Sequence, residues 1–366
     1  MNKIKERKLL PDVLRGFAIF MVVLGHCIQE CSGVDFKMNT MYFNDRIYQF
    51  IYSFHMPLFM MISGYFAWDS IDKVKEKPEK WKLLAKRSAT LIIPILGWTC
   101  IEHVQLWIEQ GRAYVAFWSI PLFVKYFSIR FLTNTWFLWA VFWCFLIVFF
   151  MHCYFRDYIG FYIIGFLLLF AIPDGMGLGA YKYMMPYFVT AFYCRGWQRN
   201  ERKHFQYLNK IEKVADWAWI VMSGVLFLGL FSMFDENSFI YLSGYKLIGK
   251  DVIKQLGIDI YRMLIGFVGA GFFILLFRKI LLMIPMYKFS MLTAIGKSSL
   301  GVYIISGYLI VKVGDLYGKY LYPNYLWNFT SDCDNGGSVL VYSYSKKNTF
   351  VKVVGRMMTA KKRSTI

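Results

Sequence analysis

Long apolar blocks separated by short charged segments dominate this sequence and restrict what it can fold into. Several blocks approach or exceed the roughly 20 residues that a helix needs to cross a bilayer. Apolar residues make up 57% of the 366-residue chain, whereas soluble domains contain about 45–50%. A soluble protein would instead show amphipathic stripes with a polar face at every turn. The pattern predicts an all-α, polytopic transmembrane helical bundle.

The blocks predict nine spans, and a chain that begins and ends on the same side needs a tenth. The expected spans lie at residues 9–29, 47–68, 88–108, 135–153, 158–172, 180–197, 214–234, 258–277 and 289–313. The segment 112–133 is aromatic but broken by charges, which indicates an interfacial or re-entrant segment. We therefore expect about nine to ten spans in one membrane domain, residues 1–313.

The region 314–366 breaks this pattern. Asp332 and Asp334, followed by Asn335-Gly336-Gly337, occupy the centre of the segment that should form the last span. Charged residues at bilayer depth cost about 2.5–3.5 kcal/mol each on insertion scales. The sequence therefore predicts an atypical C-terminal region in which the last span is missing or disrupted.

The net charge of +19 is a topology signal, because Lys and Arg gather in alternate short segments. Residues 69–87 hold seven basic residues against four acidic ones, and residues 195–213 are also basic. The positive-inside rule places these segments and the N-terminus in the cytoplasm. This distribution argues against a nucleic-acid partner and predicts a multi-pass protein of the cell (plasma) membrane, with lipid around it. The seven scattered cysteines form neither a readable disulfide framework nor a metal site, and no metal is expected.

The first span places three ionisable residues on one helix stripe. Arg15 and His26 are eleven positions apart, which is close to three full turns and about 16 Å along the axis. Asp12 lies about 40° from His26 by the same geometry. One interpretation is a snorkelling Asp12–Arg15 pair with His26 at the opposite interface. The other is functional: Arg15 holds an anion and His26 transfers a proton, since imidazole suits acid–base work near neutral pH.

Two further sets of residues are candidates. His55 precedes Pro57 in the second span and is expected at a depth similar to that of His26. It either satisfies a backbone carbonyl or shares a site with His26. Lys86 and Arg87 precede the third span; they are either ordinary positive-inside charge or a site for a phosphate-rich coenzyme.

Five segments together resemble the acyltransferase-3 family of integral membrane O-acyltransferases. The resemblance covers about residues 8–310 and rests on Asp12-x-x-Arg15-Gly16 with His26, Phe54-His55-Met56-Pro57-Leu58-Phe59 with Ser63-Gly64, Lys86-Arg87 to Pro94, Trp136-Phe137-Leu138, and Gly296 to Tyr303. The family has about ten helices and uses acyl-CoA, so the resemblance implies acyl-CoA, most often acetyl-CoA, as donor. It implies a glycan or lipid-linked sugar of the cell envelope as acceptor.

The resemblance also implies roles for individual residues. Arg15 and His26 match the paired Arg and His of the family. We expect Arg15, Lys86 and Arg87 to bind the coenzyme, His26 to act as general base and His55 to orient substrate or base. Many members have a second arginine three residues after Arg87, where this chain has Thr90.

Two other functions are compatible with the sequence. A transporter or exporter of a sugar or lipid-linked glycan would also carry polar residues at depth, although no pair of related halves is visible. An inactive membrane partner of a glycan assembly complex would follow if the altered C-terminal region destroys the fold.

Overall fold

A computed structural model describes residues 9–110, 119–155, 158–171, 178–201, 212–244, 251–321, 326–331 and 340–345. Almost all of these residues are helical. The helices are α1 Leu9–Cys31, α2 Val34–Met38, α3 Arg46–Ile71, α4 Lys77–Gln110, α5 Ile120–Thr133, α6 Trp136–Tyr154, α7 Ile159–Ala171, α8 Leu178–Glu201, α9 Glu212–Phe231, α10 Ile240–Ser243, α11 Val252–Met283, α12 Ser290–Lys297 and α13 Ser299–Leu321.

The chain forms two compact units. One comprises Met1–Gly25 and Phe43–Ile305, and the other comprises His26–Tyr42 and Ser306–Ile366. We call them the larger and the smaller unit. The larger unit contains the candidate residues Arg15, His55, Lys86 and Arg87, and the smaller unit contains His26.

Each expected span contains a helix, but fewer helices than expected have the length and apolarity of a span. Among the described residues, five do: α1, α3, α4, α6 and α11. The bent pair formed by α12 and α13, which meet at 72°, would make a sixth. Helix α7 has only 13 residues, and α8 is rich in tyrosine and carries buried Lys182 and Arg195. The protein is a membrane protein with a helical bundle, and the number nine to ten stays a prediction.

Helix α3 lies at the centre of the larger unit and packs against α8, α11 and α6. Its N-cap is Asp45, whose carboxylate accepts the Tyr48 amide at 2.7 Å. Its middle is buried on nearly every side, because phenylalanines of neighbouring helices surround it. Phe54, for example, stacks on Phe273 of α11 with ring centroids 4.2 Å apart. In a bilayer such packing, rather than release from water, holds helices together.

Glycines allow the closest helix crossings. At Gly64 of α3, a Cβ atom would lie 2.1 Å from the carbonyl oxygen of Phe188 in α8. At Gly16 of α1, it would lie 2.0 Å from the carbonyl oxygen of Leu292 in α12. Any larger side chain would force these backbones apart, so both seams require glycine.

The N-terminal part of α4 corrects one detail of the expected topology. Residues 77–87 were expected in a charged loop, but α4 begins at Lys77 and includes Lys86 and Arg87. Pro78 occupies its first turn, where a missing backbone N–H has no cost. The two basic residues therefore have fixed positions on a helix.

The smaller unit contains the end of α1, α2, most of α13 and a strand pair. The ion pair between Lys37 and Glu30 joins α2 to α1. Strands β1 Leu326–Ser331 and β2 Leu340–Ser345 pair antiparallel, with Leu326 opposite Ser345. Apart from this one pair, the regular elements of the described residues are helices, so the all-α expectation is confirmed. Asp332, Asp334, Asn335-Gly336-Gly337 and the tail after Ser345 lie outside the described residues.

Candidate functional site

Three arginines mark one end of the larger unit, which we call the basic end. It is formed where α1 and α4 begin and where α3, α6 and α8 end. Arg15 of α1 places its guanidinium carbon 4.4 Å from the ring centre of Phe66 in α3. Its Nη1 lies 3.9 Å from a carboxylate oxygen of Asp12. Asp12 is only 2% exposed, so the pair is not a surface pair, and Arg15 keeps a quarter of its side chain accessible.

Arg195 is a second arginine of the basic end. Position 195 was expected where the span 180–197 meets the basic segment 195–213; the residue lies inside α8 and is 4% exposed. Its Nε and Nη2 donate to the two carboxylate oxygens of Asp69 at 2.9 and 3.1 Å. Its guanidinium also lies 4.6 Å from the ring centre of Tyr65. The ring centres of Tyr65 and Phe66 are 5.8 Å apart, so one pair of α3 rings supports both Arg195 and Arg15.

Arg87 and Lys86 lie one after the other on α4. The Arg87 guanidinium is 5.6 Å from the ring centre of Phe145 in α6, and its Nε is buried without a hydrogen-bond acceptor among the described residues. Lys86 is exposed. Thr90, where many family members have arginine, donates its hydroxyl to the carbonyl of Lys86 at 2.7 Å. Lys86 is thus accessible to a large anion and Arg87 is held between helices.

His55 is buried in α3, 2% exposed. Its Nδ1 donates to the carbonyl of Ile51 at 2.7 Å, and its ring lies 4.8 Å from that of Tyr52. A neutral imidazole that donates through Nδ1 carries its acceptor lone pair on Nε2. The backbone carbonyl thus accounts for one ring nitrogen of His55, and the orienting role of this residue stays a prediction.

His26 is half-buried on α1, in the smaller unit. Glu30 follows one helical turn later and forms the ion pair with Lys37. The helix α1 is continuous from Leu9 to Cys31, so Arg15 and His26 share the helix that the sequence predicted. The roles of both residues stay predictions.

A short loop at the opposite end of the larger unit was not anticipated in this form. Arg262, a charge inside the expected span 258–277, is 2% exposed and pairs with Asp259. Its Nη1 donates to the Ser243 hydroxyl at 3.0 Å and its Nη2 to the Gly244 carbonyl at 2.8 Å. It thereby fixes α10, whose Tyr241 ring lies 6.4 Å from that of Tyr52, the neighbour of His55.

The same loop begins with a well-ordered cap. Asp235 and Ser238 form a reciprocal capping box. Partial burial acts to raise the pKa of the Asp235 carboxyl, but hydrogen bonds from Asn237 and Ser238 together hold that pKa below its usual range. In the smaller unit, burial raises the pKa of Tyr42, and the nearby Glu30 carboxylate adds to the effect.

Two further polar residues, Glu102 and Lys297, lie near helix ends or bends. Glu102 of α4 accepts hydrogen bonds from the Trp98 indole at 2.9 Å and from the Asn134 amide at 2.6 Å. It therefore ties α4 to the turn between α5 and α6. Lys297 is exposed at the bend between α12 and α13. Within the described ranges, no group of three or more His, Cys, Asp or Glu side chains could hold a metal ion.

Comparison with known proteins places these residues in context. A family model described as an acyltransferase domain, that of the acyltransferase-3 family, matches residues 10–331. Nodulation protein NolL of Sinorhizobium fredii (strain NBRC 101917 / NGR234) is 33% identical over 138 residues, which are 37% of this chain and 34% of the relative. Nodulation protein NolL of Mesorhizobium japonicum (strain LMG 29417 / CECT 9101 / MAFF 303099) is 28% identical over 145 residues, 39% of this chain and 35% of the relative. The aligned part thus spans about a third of each relative's length. No solved structure matches.

Proposed function

The chain belongs to the acyltransferase-3 family and is a membrane acyltransferase. From this premise we propose that it transfers an acetyl group from acetyl-CoA to a hydroxyl of an envelope or exported glycan. The observation that carries the proposal is the separation of charges in the larger unit. Arg15, Arg87 and Arg195 lie at the basic end, whereas His55 lies in the half of α3 nearer the opposite end. The basic end suits a donor that is a large anion, and the end nearer His55 suits an acceptor that is a neutral sugar.

The basic end is the proposed entry of the donor. Coenzyme A carries several phosphate charges, and arginine binds phosphate through planar pairs of N–H groups. Lys86 is exposed and Arg15 is partly accessible, so both can meet a phosphate that arrives from water. Arg87 adds a guanidinium behind Lys86 on the same helix. This arrangement supports Arg15, Lys86 and Arg87 as the residues that bind acyl-CoA.

The proposed reaction is a direct transfer with His26 as general base. His26 removes the proton of the acceptor hydroxyl while the hydroxyl oxygen attacks the thioester carbonyl carbon. The new C–O ester bond forms, the C–S bond breaks, and the coenzyme leaves as a thiolate that takes up a proton. His55 is proposed to orient the acceptor. General-base catalysis of this kind contributes roughly 10²–10⁴-fold to a rate.

The proposed location is the cell membrane, with the N-terminus and the basic end in the cytoplasm. The Lys/Arg bias of residues 69–87 supports this orientation, and acetyl-CoA would then reach Lys86 from the compartment in which it is made. The acceptor glycan would approach from the outer side. Arg195 no longer contributes to the bias, because it is buried in α8.

The test is acyl transfer by purified full-length protein in lipid nanodiscs. Labelled acetyl-CoA and surface glycan extracted from the host are supplied, and ester-linked label on the glycan is measured before and after mild alkali. The proposal expects label that alkali removes. Movement of unlabelled glycan across proteoliposomes without acetylation would instead indicate a transporter. Absence of both would favour an inactive partner of an assembly complex.

A further inference from the structure

Besides the Nε of Arg87, two buried hydrogen-bond donors at the basic end have no acceptor among the residues that the structure describes. They are Nε1 of Trp68 on α3 and Nη1 of Arg195 on α8. Both side chains are more than nine-tenths buried, at 9% and 4% exposure. A buried donor without a partner destabilises the fold, and folded proteins leave few such groups.

The two donors belong to one seam between α3 and α8. Trp68 precedes Asp69, the partner of Arg195, and it packs on Gly196, the residue after Arg195. A Cβ atom at position 196 would lie 2.5 Å from Trp68 Cη2, so the indole requires glycine there. The rings of Phe192 and of His152 in α6 lie 4.9 and 4.8 Å from the Trp68 ring. Both donors are thus held in place by close packing.

A purely structural role would not require these two side chains. A phenyl ring at position 68 would fill much of the same space without a polar N–H. A lysine at position 195 could form the ion pair with Asp69 without bringing a third nitrogen into the seam. The combination of an indole and a three-nitrogen fork, both with an unused donor, is typical of a place built to hold a hydrogen-bond acceptor.

The charge of the seam indicates which kind of acceptor fits. Asp69 accepts two hydrogen bonds from Arg195, and its carboxylate neutralises that guanidinium. A phosphate beside Asp69 would meet a negative charge, whereas a carbonyl oxygen would not. Uncharged carbonyl oxygens are therefore the better ligands for this seam.

We propose that Arg195 and Trp68 bind carbonyl oxygens of the acyl-pantetheine arm of the donor. This inference rests on the proposed function and adds two residues to the donor site. The phosphates would lie against Lys86 and Arg87 of α4. The arm, with its two amides and its thioester, would follow the buried seam, where Tyr65 and Phe66 connect Arg195 to Arg15.

A donor that lacks the nucleotide directly tests whether the arm and the phosphates bind to different residues. Transfer to the acceptor glycan is measured in nanodiscs with acetyl-CoA and with S-acetylpantetheine, which keeps the arm and has no phosphate. Arg195→Gln is combined with Asp69→Asn, so that no unpaired carboxylate remains. We expect this double variant to raise the KM for both donors by about 10-fold or more, the loss of a hydrogen bond from a charged group. Arg87→Gln should raise the KM for acetyl-CoA alone.

Matched controls separate binding from folding. Arg46 lies at the opposite end of the larger unit, where its guanidinium is over the Phe231 ring and donates to the Phe234 carbonyl. Arg46→Gln should therefore leave the KM for acetyl-CoA and for S-acetylpantetheine unchanged. Trp68→Phe should raise both KM values, whereas Trp139→Phe, which loses a bond to the Phe131 carbonyl, should not. Compared with the double variant, Arg195→Lys should have a melting temperature near that of the wild type, but its KM for both donors should stay raised.

Four results would overturn the inference. A rise in KM for acetyl-CoA with no rise for S-acetylpantetheine would make Arg195 a phosphate ligand. Full recovery of KM in Arg195→Lys, or an unchanged KM in the double variant, would reduce the seam to a structural ion pair. Wild-type protein that transfers acetyl from neither donor would refute the proposed function, and the inference with it.

Discussion

Replacement of Gly64 by alanine should separate α3 from α8 and destabilise the larger unit. The added Cβ would lie 2.1 Å from the carbonyl oxygen of Phe188, whereas carbon–oxygen contacts between helices are about 3.3–3.6 Å. The backbones must therefore move apart by roughly 1 Å or more, because neither contacting atom belongs to a flexible side chain. Overpacking of this kind costs about 1–3 kcal/mol.

The displacement should also reach the Arg195–Asp69 pair, which lies on the same seam. Its hydrogen bonds of 2.9 and 3.1 Å would lengthen beyond useful distance. We therefore expect Gly64→Ala to lower the melting temperature of the detergent-solubilised protein by on the order of 5 °C and to raise the KM for acetyl-CoA.

Gly97→Ala is the matched control for this prediction. Gly97 is an exposed residue within α4, and a Cβ there meets nothing within 4 Å. Alanine is the better helix former by about 0.5–1 kcal/mol, so the melting temperature should stay the same or rise. Equal melting temperatures for Gly64→Ala and the wild type would show that α3 and α8 do not approach as closely as described.

Four further predictions address the site and the topology. Arg15→Lys keeps the charge but loses the planar fork, so the KM for acetyl-CoA should rise; an unchanged KM would return Arg15 to a snorkelling role. Asp235→Asn should flatten the pH dependence of stability, because the lowered pKa of the Asp235 carboxyl stabilises the fold above about pH 4 and this contribution is lost as pH falls below that value. The measurement is thermal melting of the wild type and the variant at pH 3 to 6. Parallel plots of melting temperature against pH for the two proteins would show that the cap makes no such contribution. A cysteine placed at position 75 should resist impermeant thiol reagents added outside intact cells, and its labelling would reverse the proposed orientation. A tag after Ile366 should be cleaved by external protease if the last span is missing, and its protection would show that the segment crosses.

The sequence was sufficient for the helices because their signal is local. Apolar blocks, the Asp45 cap and the placement of Pro78 are each readable within a few residues. The arithmetic of one helix also predicts a common stripe for Arg15 and His26, and one continuous helix, α1, contains both residues. The count of spans was harder to predict, since α7 is short and α8 mixes tyrosines with buried charges.

The donor seam could not be predicted because its partners are far apart along the chain. Arg195 pairs with Asp69, 126 positions earlier, and each residue ends an apolar block, where a charge normally indicates a loop. Arg262 is a charge within the expected span 258–277, but its loop partners Ser243 and Gly244 depend on the tertiary fold.

The measurement that tests the central claim most directly is transfer of labelled acetyl from acetyl-CoA to glycan by the wild type and by His26→Ala. Both proteins are purified in nanodiscs, and their melting temperatures are compared first, so that a loss of product reports chemistry. The account predicts alkali-labile label on the glycan with the wild type and a rate at least about 100-fold lower with His26→Ala, the lower bound for a general base. A variant that is as stable as the wild type and keeps more than about a tenth of its rate would contradict the role of His26 as base.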